Sequence, residues 1–543
     1  EPRERLGGTA EDVTVVTTAE TVSAATNADR ATTENNPITN TLVIMKTKTF
    51  RNVLCAAMTG CALLNPLHTT TTMAQKQFTL EDLNFGGTNY RNMVPENRYT
   101  TWWGDCLVRT EVDYCAEVNL KNGKETRLFS LDEINEWAGL KGSDEKIRHF
   151  YSASFPYADK SLVMVMNGRE NLLVDFKKHT LVKRWNREQQ TQALEWNKQS
   201  DATAYVKGDQ LYVTTTDGQT HQLTKDGSRE IVYGQSVHRD EFGISGGLKG
   251  GPKGNRLAFY RMDQSMVSDY PLPDIPELNW TPKPGESRAA KLDIIKYPMA
   301  GEASHKVTVG VYDLATGSTI YLKAGDPTDR YFTNISWSPD ESRIYMLELN
   351  RDQNDMDLVE YDATTGDRLR VLYNEKDEKY VEPQHPIAFL PWDATKFVLQ
   401  SQKDGYNHFY LFDIAGGEPR QLTKGEWVVM DFLGFDLKRK AIIYASNECS
   451  PIQQNTWSVS VKNGKRTLLD NGKGWHYASL STSGMAVCDN YSEPDVPRKI
   501  DLIEVAGKRV NWLTAADPWQ GYNVPEYSCG ALKAADGTPD LHY

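Results

Sequence analysis

A β-strand unit that recurs along most of the chain limits the fold more than any other feature. Its clearest copy starts at residues 335–349 (ISWSPDESRIYMLEL), continues through a further strand and ends in a Thr-Thr-Gly-Asp turn at residues 364–367. From Trp337 onward the unit returns about every 45 to 50 residues, which is typical of propeller blades. Further copies open at residues 195–196, 250–254, 388–391, 434–437 and 480–484. We therefore predict an all-β fold, an eight-bladed β-propeller of four-stranded antiparallel blades.

The composition agrees with a β fold and disfavours one class of partner. The 543 residues include 13 Trp, 26 Tyr, 16 Phe, 39 Gly and 24 Pro, which favours strands and tight turns over helices. The formal net charge of -12 disfavours a nucleic-acid partner, because phosphate binding requires a basic surface. The negative charge does not exclude peptides with a free, cationic amino terminus as partners.

The repeat has one long gap, between residues 254 and 337. Proline-rich segments at residues 270–276 and 283–285 fall within this gap, and we interpret them as an insertion within one blade. We place the propeller at residues 75–520 and a short lead-in to a further domain at residues 521–543.

Two leader segments precede the propeller. Residues 1–44 are rich in Thr, Ala and Glu without apolar periodicity, which is typical of a disordered or spurious leader. Residues 45–74 have the pattern of a secretory signal peptide, because Met45 is followed by a basic region and then by about a dozen apolar residues. We expect translation to begin at Met45, cleavage to leave Gln75 first, and the product to be periplasmic, secreted or otherwise in the cell envelope. Lipid attachment at Cys61 is the alternative.

Cysteine and metal-ligand patterns give little indication of a site. Seven cysteines occur, of which Cys55 and Cys61 lie in the signal segment. Cys106 and Cys115 could form a disulfide in an oxidising compartment, although we favour separate packed thiols. Spacings typical of metal sites do not occur in the sequence, so we predict neither a metal nor another cofactor.

One stretch, residues 231–244, interrupts the repeated units. A β-rich run gives way to four consecutive charged or titratable residues, His238, Arg239, Asp240 and Glu241, and then to a glycine-rich loop. Charged residues at a break in a repeat suggest a ligand site. A solvated connection between repeats is the alternative.

Five motifs resemble the dipeptidyl peptidase IV branch of the prolyl oligopeptidase family, and most of all its bacterial prolyl tripeptidyl peptidase-like members. They occur at residues 232–243 (VYGQSVHRDEFG), 257–263 (LAFYRMD), 297–301 (YPMAG), 337–340 (WSPD) and 401–410 (SQKDGYNHFY). Members of that family pair an eight-bladed propeller with an α/β-hydrolase domain and release two or three residues from peptide N-termini after proline. The resemblance implies the same propeller and the same class of substrate for this chain.

The resemblance also implies which residues bind the substrate's amino terminus. Family propellers contribute acidic residues that hold the peptide's α-ammonium group, and the tripeptidyl-like members place a Glu before Phe-Gly, which corresponds to Glu241. Many dipeptidyl members carry an acidic pair directly after the motif's Tyr, whereas Gly-Gln follows Tyr233 in this chain. We therefore predict a binding site of Glu241 with Asp240 and Arg239. An ion pair of Glu241 with Arg239 or with another blade is the alternative.

A catalytic triad is not recognisable in the sequence. The Gly-x-Ser-x-Gly pattern at residues 243–247 would make Ser245 the nucleophile, but a nucleophile elbow requires a buried strand before it and a helix after it. Residues 248–254 are too rich in glycine to begin a helix. Residues 521–543 resemble the strand and turn that lead into the family's hydrolase domain. We therefore expect the α/β-hydrolase domain to be missing from this chain.

Two functional hypotheses follow. In the first, the chain is the substrate-gating, amino-terminus-anchoring propeller of a secreted serine exopeptidase that removes di- or tripeptides after proline, truncated before its catalytic domain. In the second, it is a non-catalytic propeller that binds peptides or an envelope protein. The expected partners are peptides with a free amino terminus and the missing hydrolase domain. A homodimer is a further alternative, since the sequence does not determine the oligomeric state.

Overall fold

The described chain forms a ring of eight β-sheets. In the computed structural model, the described residues are 75–543 except 277–280, 282 and 506. The sheets follow one another along the chain, and each is formed by neighbouring antiparallel strands, so that each sheet is one propeller blade. The predicted all-β, eight-bladed propeller is confirmed. The leader and signal segments predicted at residues 1–74 lie outside the described residues.

The first four blades occupy residues 100–321. Blade 1 consists of β1 (Thr100–Trp103), β2 (Cys106–Thr110), β3 (Tyr114–Val118) and β4 (Glu125–Ser130). Blade 2 has three strands, β5 (Leu162–Met166), β6 (Glu170–Asp175) and β7 (Thr180–Asn186), and blade 3 has β8 (Ala193–Asn197), β9 (Ala202–Lys207), β10 (Gln210–Thr214) and β11 (Thr220–Gln222). Blade 4 contains β12 (Ile231–Tyr233), β13 (Leu248–Gly250) and β14 (Arg256–Asp263), then an arm of β15 (Asp269–Asp274) and β16 (Lys291–Lys296), and finally β17 (Lys306–Asp313) and β18 (Ser318–Tyr321).

The last four blades occupy residues 330–514. Blade 5 consists of β19 (Arg330–Trp337), β20 (Arg343–Asn350), β21 (Asp355–Asp362) and β22 (Arg368–Lys376), and blade 6 of β23 (Ala388–Leu390), β24 (Asp393–Ser401), β25 (His408–Asp413) and β26 (Arg420–Gln421). Blade 7 consists of β27 (Val429–Asp436), β28 (Ala441–Ser446), β29 (Asn455–Ser460) and β30 (Arg466–Leu468), and blade 8 of β31 (Trp475–Leu480), β32 (Ala486–Glu493), β33 (Val496–Glu504) and β34 (Lys508–Thr514). A hairpin of β35 (Ala531–Lys533) and β36 (Asp540–His542) follows.

Helices are short in the described part of the chain. They are the α-helices α1 (Leu80–Leu83) and α2 (Leu131–Trp137) and the 3-10 turns Tyr90–Met93 and His238–Asp240. None of them is long and apolar enough to cross a membrane, a finding that covers the described residues only.

The second and third strands of most blades are buried because neighbouring blades pack against both of their faces. In β20, only the first and last residues are not fully buried. The fourth strands are more exposed, and β7 alternates between exposed and half-buried residues, as expected of a strand with one solvated face. First strands such as β1 and β8 are half-buried throughout, consistent with a position along the central channel of the ring.

A separate hydrophobic cluster fills each of the eight seams between neighbouring blades. The seam between blades 5 and 6 is rich in aromatic rings, and Phe397 stacks on Phe412 with 5.2 Å between the ring centroids. The seam between blades 2 and 3 is smaller, with the buried residues Leu162, Met164 and Leu173. The core is therefore a ring of seams, and each blade is stabilised by contact with both of its neighbours.

Blades 1 and 8 close the ring by packing side by side, without exchanging a strand. The backbone N–H of Thr482 donates to the Gly104 carbonyl at 3.1 Å. The Arg98 guanidinium donates to the Trp512 carbonyl at 2.6 Å and lies over the Trp512 ring, 4.6 Å from its centroid. Closure therefore depends on side-chain contacts as well as on the apolar cluster.

Arg98→Met is expected to lower the free energy of unfolding by about 1–2 kcal/mol, because it removes a hydrogen bond from a charged donor and a cation–π contact but keeps the aliphatic stem. Urea titration followed by tryptophan fluorescence measures this change. Arg148→Met is the matched control, because Arg148 is exposed and its replacement should change the free energy of unfolding by less than about 0.5 kcal/mol. Equal losses in the two variants would show that Arg98 does not support closure.

The five cysteines of the described residues form no disulfide. Cys106 and Cys115 are both free, in agreement with separate packed thiols. The register of the β2–β3 hairpin pairs Thr110 with Cys115, so Cys106 lies four residues further along β2. That offset is about 13 Å, well beyond the roughly 7 Å that a disulfide can bridge. The described residues also contain no group of three or more His, Cys, Asp or Glu side chains that could hold a metal ion.

Strand direction assigns every connection to one of two faces of the ring. Because neighbouring strands are antiparallel, the links from each fourth strand to the next first strand lie on the same face as the turns between second and third strands. We call this the linker face. The arm lies there, since it connects β14 to β17. The chain also enters β1 and leaves β34 at this face.

Candidate functional site

The innermost strand of blade 4 is split by a loop. β12 pairs with one half of β14 and β13 pairs with the other half. We call residues 234–247, between these two strands, the blade 4 loop. Both of its ends bind Tyr260: the Gly234 N–H donates to the Tyr260 carbonyl at 2.9 Å, and the Tyr260 N–H donates to the Gly247 carbonyl at 3.0 Å. The loop therefore leaves and rejoins the sheet at one point and extends away from it.

Two different seams hold the base and the tip of this loop. Val237 and Ile244 belong to the cluster between blades 4 and 5, whereas Phe242 belongs to the cluster between blades 5 and 6. At the tip, Gly243 has a φ of +70°, and a Cβ atom there would lie 2.0 Å from the Gln384 carbonyl oxygen. The loop thus crosses blade 5 and requires glycine where it meets the link between blades 5 and 6.

Asn334 fixes the tip of the loop to the same link. Its Nδ2 donates to the carbonyl of Phe242 at 3.1 Å and to the carbonyl of Pro383 at 2.8 Å. Asn334 lies at the irregularity in the pairing of β19 with β20 and has a left-handed φ of 54°. A bulge of this kind redirects a side chain away from the regular pleat. Here it points the amide at two backbone carbonyls from different elements.

Three consecutive residues before the tip have left-handed backbone conformations. The φ angle is 54° at His238, 59° at Arg239 and 62° at Asp240. Such a conformation is unfavourable by about 1–2 kcal/mol per non-glycine residue, and strained residues concentrate at functional sites. His238 is buried and stabilises the turn, because its Nε2 accepts a hydrogen bond from the Phe332 N–H at 3.2 Å.

This turn displays the three residues that the sequence assigned to substrate binding. Arg239, Asp240 and Glu241 are all exposed. Within the described chain neither carboxylate forms an ion pair, so the alternative of a Glu241–Arg239 pair is not realised. Arg239 instead lies over the Tyr297 ring, with 5.3 Å between the guanidinium carbon and the ring centroid. Both carboxylates are therefore free to bind a cationic group.

Aromatic rings that the sequence did not assign to the site surround the turn. Tyr331 on β19 contacts the rings of His238 and Phe242, with 5.0 Å between centroids in both cases. Tyr297 directly follows the arm. Tyr297 lies in the family-like motif at residues 297–301, and this motif was the one sequence signal that could have assigned it to the site. The local sequence around Tyr331 contains no such signal.

A second buried histidine lies beside the turn. His305 is 2% exposed, and its ring centroid is 6.3 Å from that of His238. Burial, together with the positive charges of Arg239 and Arg351, lowers the pKa of His305 to about 4. Arg351 is itself paired with Asp329 at 2.9 Å. These residues come from blades 4 and 5, so no sequence spacing could have grouped them.

The Gly-x-Ser-x-Gly pattern lies on the returning side of the loop. Ser245 is exposed, and the strand β13 follows it rather than a helix. The glycines allow close approach of two backbones, since a Cβ atom on Gly247 would lie 2.0 Å from the Gln235 carbonyl oxygen. The strand–turn–helix context of a nucleophile elbow is therefore not formed at this position.

The loop lies on the linker face. It contacts Pro383 and Gln384 in the link between blades 5 and 6, and Tyr297 at the end of the arm. Asp240 and Glu241 are therefore displayed on the face at which the chain enters the first blade and leaves the last one.

Comparisons with known proteins identify the family of this propeller. Residues 142–498 match the family model for the dipeptidyl peptidase IV (DPP IV) N-terminal region. The chain belongs to the dipeptidyl peptidase IV family. The membership predicted from the five motifs is thereby confirmed.

Solved structures of the dipeptidyl peptidase IV family share the fold. The crystal structure of "a putative dipeptidyl aminopeptidase IV" from Bacteroides ovatus is similar, with a TM-score of 0.77 and 41% sequence identity, and covers 86% of this chain and 66% of that one. The structure of Porphyromonas gingivalis dipeptidyl peptidase 4 has a TM-score of 0.68 at 20% identity and covers 87% of this chain and 67% of that one, which shows a common fold.

Curated relatives in the dipeptidyl peptidase IV family are considerably longer than the matched region. "Probable dipeptidyl-aminopeptidase B" of Phaeosphaeria nodorum is 28% identical over 335 residues, which is 58% of this chain and 37% of the relative. "Probable dipeptidyl peptidase 4" of Aspergillus clavatus is 28% identical over 358 residues, which is 63% of this chain and 46% of the relative. The chain thus spans less than half the length of these two relatives.

Proposed function

We propose that this chain is the amino-terminus-binding propeller of a secreted serine exopeptidase that removes di- or tripeptides after proline. The observation that carries the proposal is the exposed Asp240–Glu241 pair, which has no ion-pair partner among the described residues and stands on a left-handed turn. Family membership supports the peptidase assignment, because the matched relatives are named as dipeptidyl peptidases and aminopeptidases.

The α-ammonium group of a peptide suits this turn chemically. A carboxylate that receives a hydrogen bond from an ammonium group contributes about 1.5–3 kcal/mol, roughly twice the contribution of a neutral pair. Phe242 and Gly243 hold the turn against the seam between blades 5 and 6, so the position of Glu241 is set by the ring rather than by a free loop. A set distance from Glu241 to a nucleophile would then select how many residues are released.

Exposed apolar side chains support a second domain docked on the linker face. Leu80 and Phe85 before β1, and Leu532 after β34, are all largely exposed. The two ends of the described chain lie side by side, because Phe78 stacks on Tyr522 with 4.7 Å between ring centroids. Large apolar side chains this exposed are favoured where another protein surface covers them. We assign it to the α/β-hydrolase domain of the peptidase, which would then face Glu241.

Export is part of the proposal. The basic region after Met45 and the apolar run that follows it support a secretory signal, which would deliver the protein to the periplasm or to the outside of the cell. Both compartments contain peptides with free amino termini.

The arm supports a homodimer as the assembly of this protein. A two-stranded hairpin is only marginally stable by itself, and this one carries exposed apolar residues, among them Leu272, Leu292 and Ile294. Leu292 and Ile294 are two residues apart on β16 and so share one face of it. A second copy of the chain that packs on this face would stabilise the hairpin and bury Leu292 and Ile294, whereas Leu272 lies on the opposite face.

The double substitution Leu292→Glu with Ile294→Glu is expected to convert the dimer to a monomer, because two carboxylates would have to be desolvated in the interface. Sedimentation equilibrium at micromolar concentration measures the molecular mass. Val182→Glu is the matched control, because Val182 is an equally exposed apolar residue on an outer strand, and this variant should stay dimeric. A monomeric parent, or a dimeric arm variant, would contradict the assignment.

Joining the chain to the hydrolase domain of a close bacterial relative tests the proposed function. The joined protein is expected to release di- or tripeptides from free-amine peptides with proline at the cleavage position, with products identified by mass spectrometry. Acetylated peptides should be poor substrates because they lack the ammonium group. Turnover of a small activated ester by the same protein confirms that the hydrolase domain is folded. Ester turnover without preference for a free amino terminus would refute the proposed role of the propeller.

A further inference from the structure

Two buried histidines beneath the blade 4 loop have ring nitrogens without a protein partner. His238 belongs to the left-handed turn, and His305 directly precedes β17. Each is 2% exposed. Neither Nδ1 atom has a hydrogen-bond partner among the described residues. Since buried polar atoms are rarely left unpaired, these two nitrogens indicate a bound group between or beside the rings.

The proton on the His238 ring can be assigned from its one hydrogen bond. Nε2 accepts a hydrogen bond from the Phe332 N–H, so Nε2 carries no proton. Burial, with His305 as a second cause, lowers the pKa of His238 to about 3, and the ring is therefore neutral at pH 7. A neutral ring with a bare Nε2 must carry its proton on Nδ1. His238 thus presents a buried N–H donor that has no protein acceptor in the described chain.

The separation of the ring centroids is closer to the spacing that a bridging water molecule requires than to the spacing that a bridging metal ion requires, if both Nδ1 atoms point at the bound group. A zinc ion lies about 2.0–2.1 Å from each nitrogen, and at a tetrahedral angle it would bring the ring centroids to about 5 Å. A water molecule lies about 2.9 Å from each nitrogen and would place the centroids about 6.5 Å apart. The observed 6.3 Å leaves room for one water molecule between the rings. Such a water would accept from the Nδ1–H of His238 and donate to the Nδ1 of His305, the two ring nitrogens without a partner among the described residues.

The groups that face the two rings would not stabilise an added proton. Tyr331 on β19 packs edge-on against His238. Arg239 from the loop and Arg351 from the β20–β21 turn act on His305, and Asp329 is already paired with Arg351. The exposed carboxylates of the loop form no ion pair with either ring in the described chain. A proton on either histidine would therefore be a buried cation without a partner.

We propose that His238, His305 and one bound water molecule hold the blade 4 loop closed in neutral solution and release it in acid. His238 can take up a proton only at Nε2, which breaks the hydrogen bond from the Phe332 N–H. His305 in its cationic form lies beside two arginines. Either change favours an open loop, in which both rings reach solvent and the left-handed turn can relax. The position of Glu241 then depends on pH.

The direction of the pH dependence follows from proton binding. In the open loop both histidines have ordinary pKa values near 6.5, whereas in the closed loop the pKa values are about 3 for His238 and about 4 for His305. The open form therefore binds more protons below pH 6.5, and closure weakens as the pH falls. By linkage, each histidine increases the opening equilibrium constant about a hundredfold between pH 7.5 and pH 4.5.

Hydrogen–deuterium exchange of the full chain at pH 7.5, 5.5 and 4.5 tests the proposal. After correction for intrinsic exchange rates, the amides of Asp240, Glu241 and Ile244, which are hydrogen-bonded in the closed loop, are expected to lose protection at least a hundredfold at the lowest pH. Residues 475–514 in blade 8 should keep theirs. Loop protection that is independent of pH, or lost together with that of blade 8, overturns the proposal.

Two variants separate the histidine pair from general acid sensitivity. His305→Gln keeps a polar group beside the water but cannot be protonated. In this variant, the loss of loop protection between pH 7.5 and pH 4.5 should be about a hundredfold smaller than in the parent. His408→Gln is the matched control, because His408 is also buried but its ring nitrogens are paired with Thr423 and Gly425, and its ring contacts Trp427 in the seam between blades 6 and 7. This control should leave the loop's response unchanged. Equal responses of the parent and His305→Gln overturn the proposal.

Two measurements on the unmodified protein keep the test independent of variants. Nitrogen-15 spectra of labelled histidine at pH 7 should show His238 with its proton on Nδ1. A crystal structure should show one density peak at hydrogen-bonding distance from both Nδ1 atoms. An Nε2–H tautomer of His238, an empty site or an anomalous metal signal there overturns the proposal.

Discussion

Glu241→Gln is expected to lower kcat/KM for prolyl peptides with a free amino terminus about ten- to a hundredfold once the chain is joined to a hydrolase domain. The amide has the same size but no charge, so the variant loses a charge-assisted hydrogen bond that contributes about 1.5–3 kcal/mol. The turn should keep its conformation, because the Glu241 side chain is exposed and forms no ion pair in the described chain. Steady-state kinetics on paired peptides measures the effect.

Acetylated peptides are the control for this substitution, because they have no ammonium group to lose. Their slow hydrolysis should be nearly the same in the parent and in Glu241→Gln. Asp240→Asn changes the neighbouring carboxylate on the same turn and should have the smaller effect of the two. If Glu241→Gln lowers activity equally on free and acetylated peptides, Glu241 has a structural role, and Asp240 becomes the candidate for ammonium binding.

Phe242→Ala is expected to destabilise the protein by about 3–5 kcal/mol and to release the tip of the blade 4 loop. Phe242 is buried in the cluster between blades 5 and 6, and its truncation removes apolar contacts and leaves a cavity in that seam. The three left-handed residues before it are then no longer held against their backbone preference. Urea titration measures the free energy of unfolding, and hydrogen exchange measures protection of the loop.

Phe242→Leu is the matched variant, because leucine fills most of the same space without the ring. It should destabilise by about 1.5 kcal/mol or less and keep the loop protected. In the joined enzyme, Phe242→Ala should resemble Glu241→Gln, since both remove the carboxylate from its position. If Phe242→Ala left loop protection unchanged, the contact with the seam between blades 5 and 6 would not be what positions Glu241.

The repeated blade was predictable because its signals are local. Residues 335–349 contain the strand, turn and strand that form β19 and β20. The predicted openings at residues 388–391, 434–437 and 480–484 fall in or at the ends of the first strands of blades 6, 7 and 8. The proline-rich segments correctly indicated an insertion, which is the arm. A strand pairs here with its neighbour in sequence, so each blade is determined by about 45 consecutive residues.

The irregular parts of the blades were harder to predict from the sequence. Blade 2 lacks a regular first strand, and a single bridge between Ser154 and Met164 of β5 stands in its place. The split of the first strand of blade 4 was visible only as a break in the repeat. Neither the hairpin register that separates Cys106 from Cys115 nor the bulge at Asn334 has a signature in the local sequence.

Strand periodicity, turn residues and one short motif were enough to predict the blade repeat, the family and a role for the acidic residues Asp240 and Glu241. The exposure of the two carboxylates on a left-handed turn could be seen only in the folded ring. That turn exists because His238 binds Phe332 in the next blade, 94 residues away, and because Phe242 reaches the seam beyond it. Contacts between blades form only when the ring closes, and closure is a property of all eight blades together.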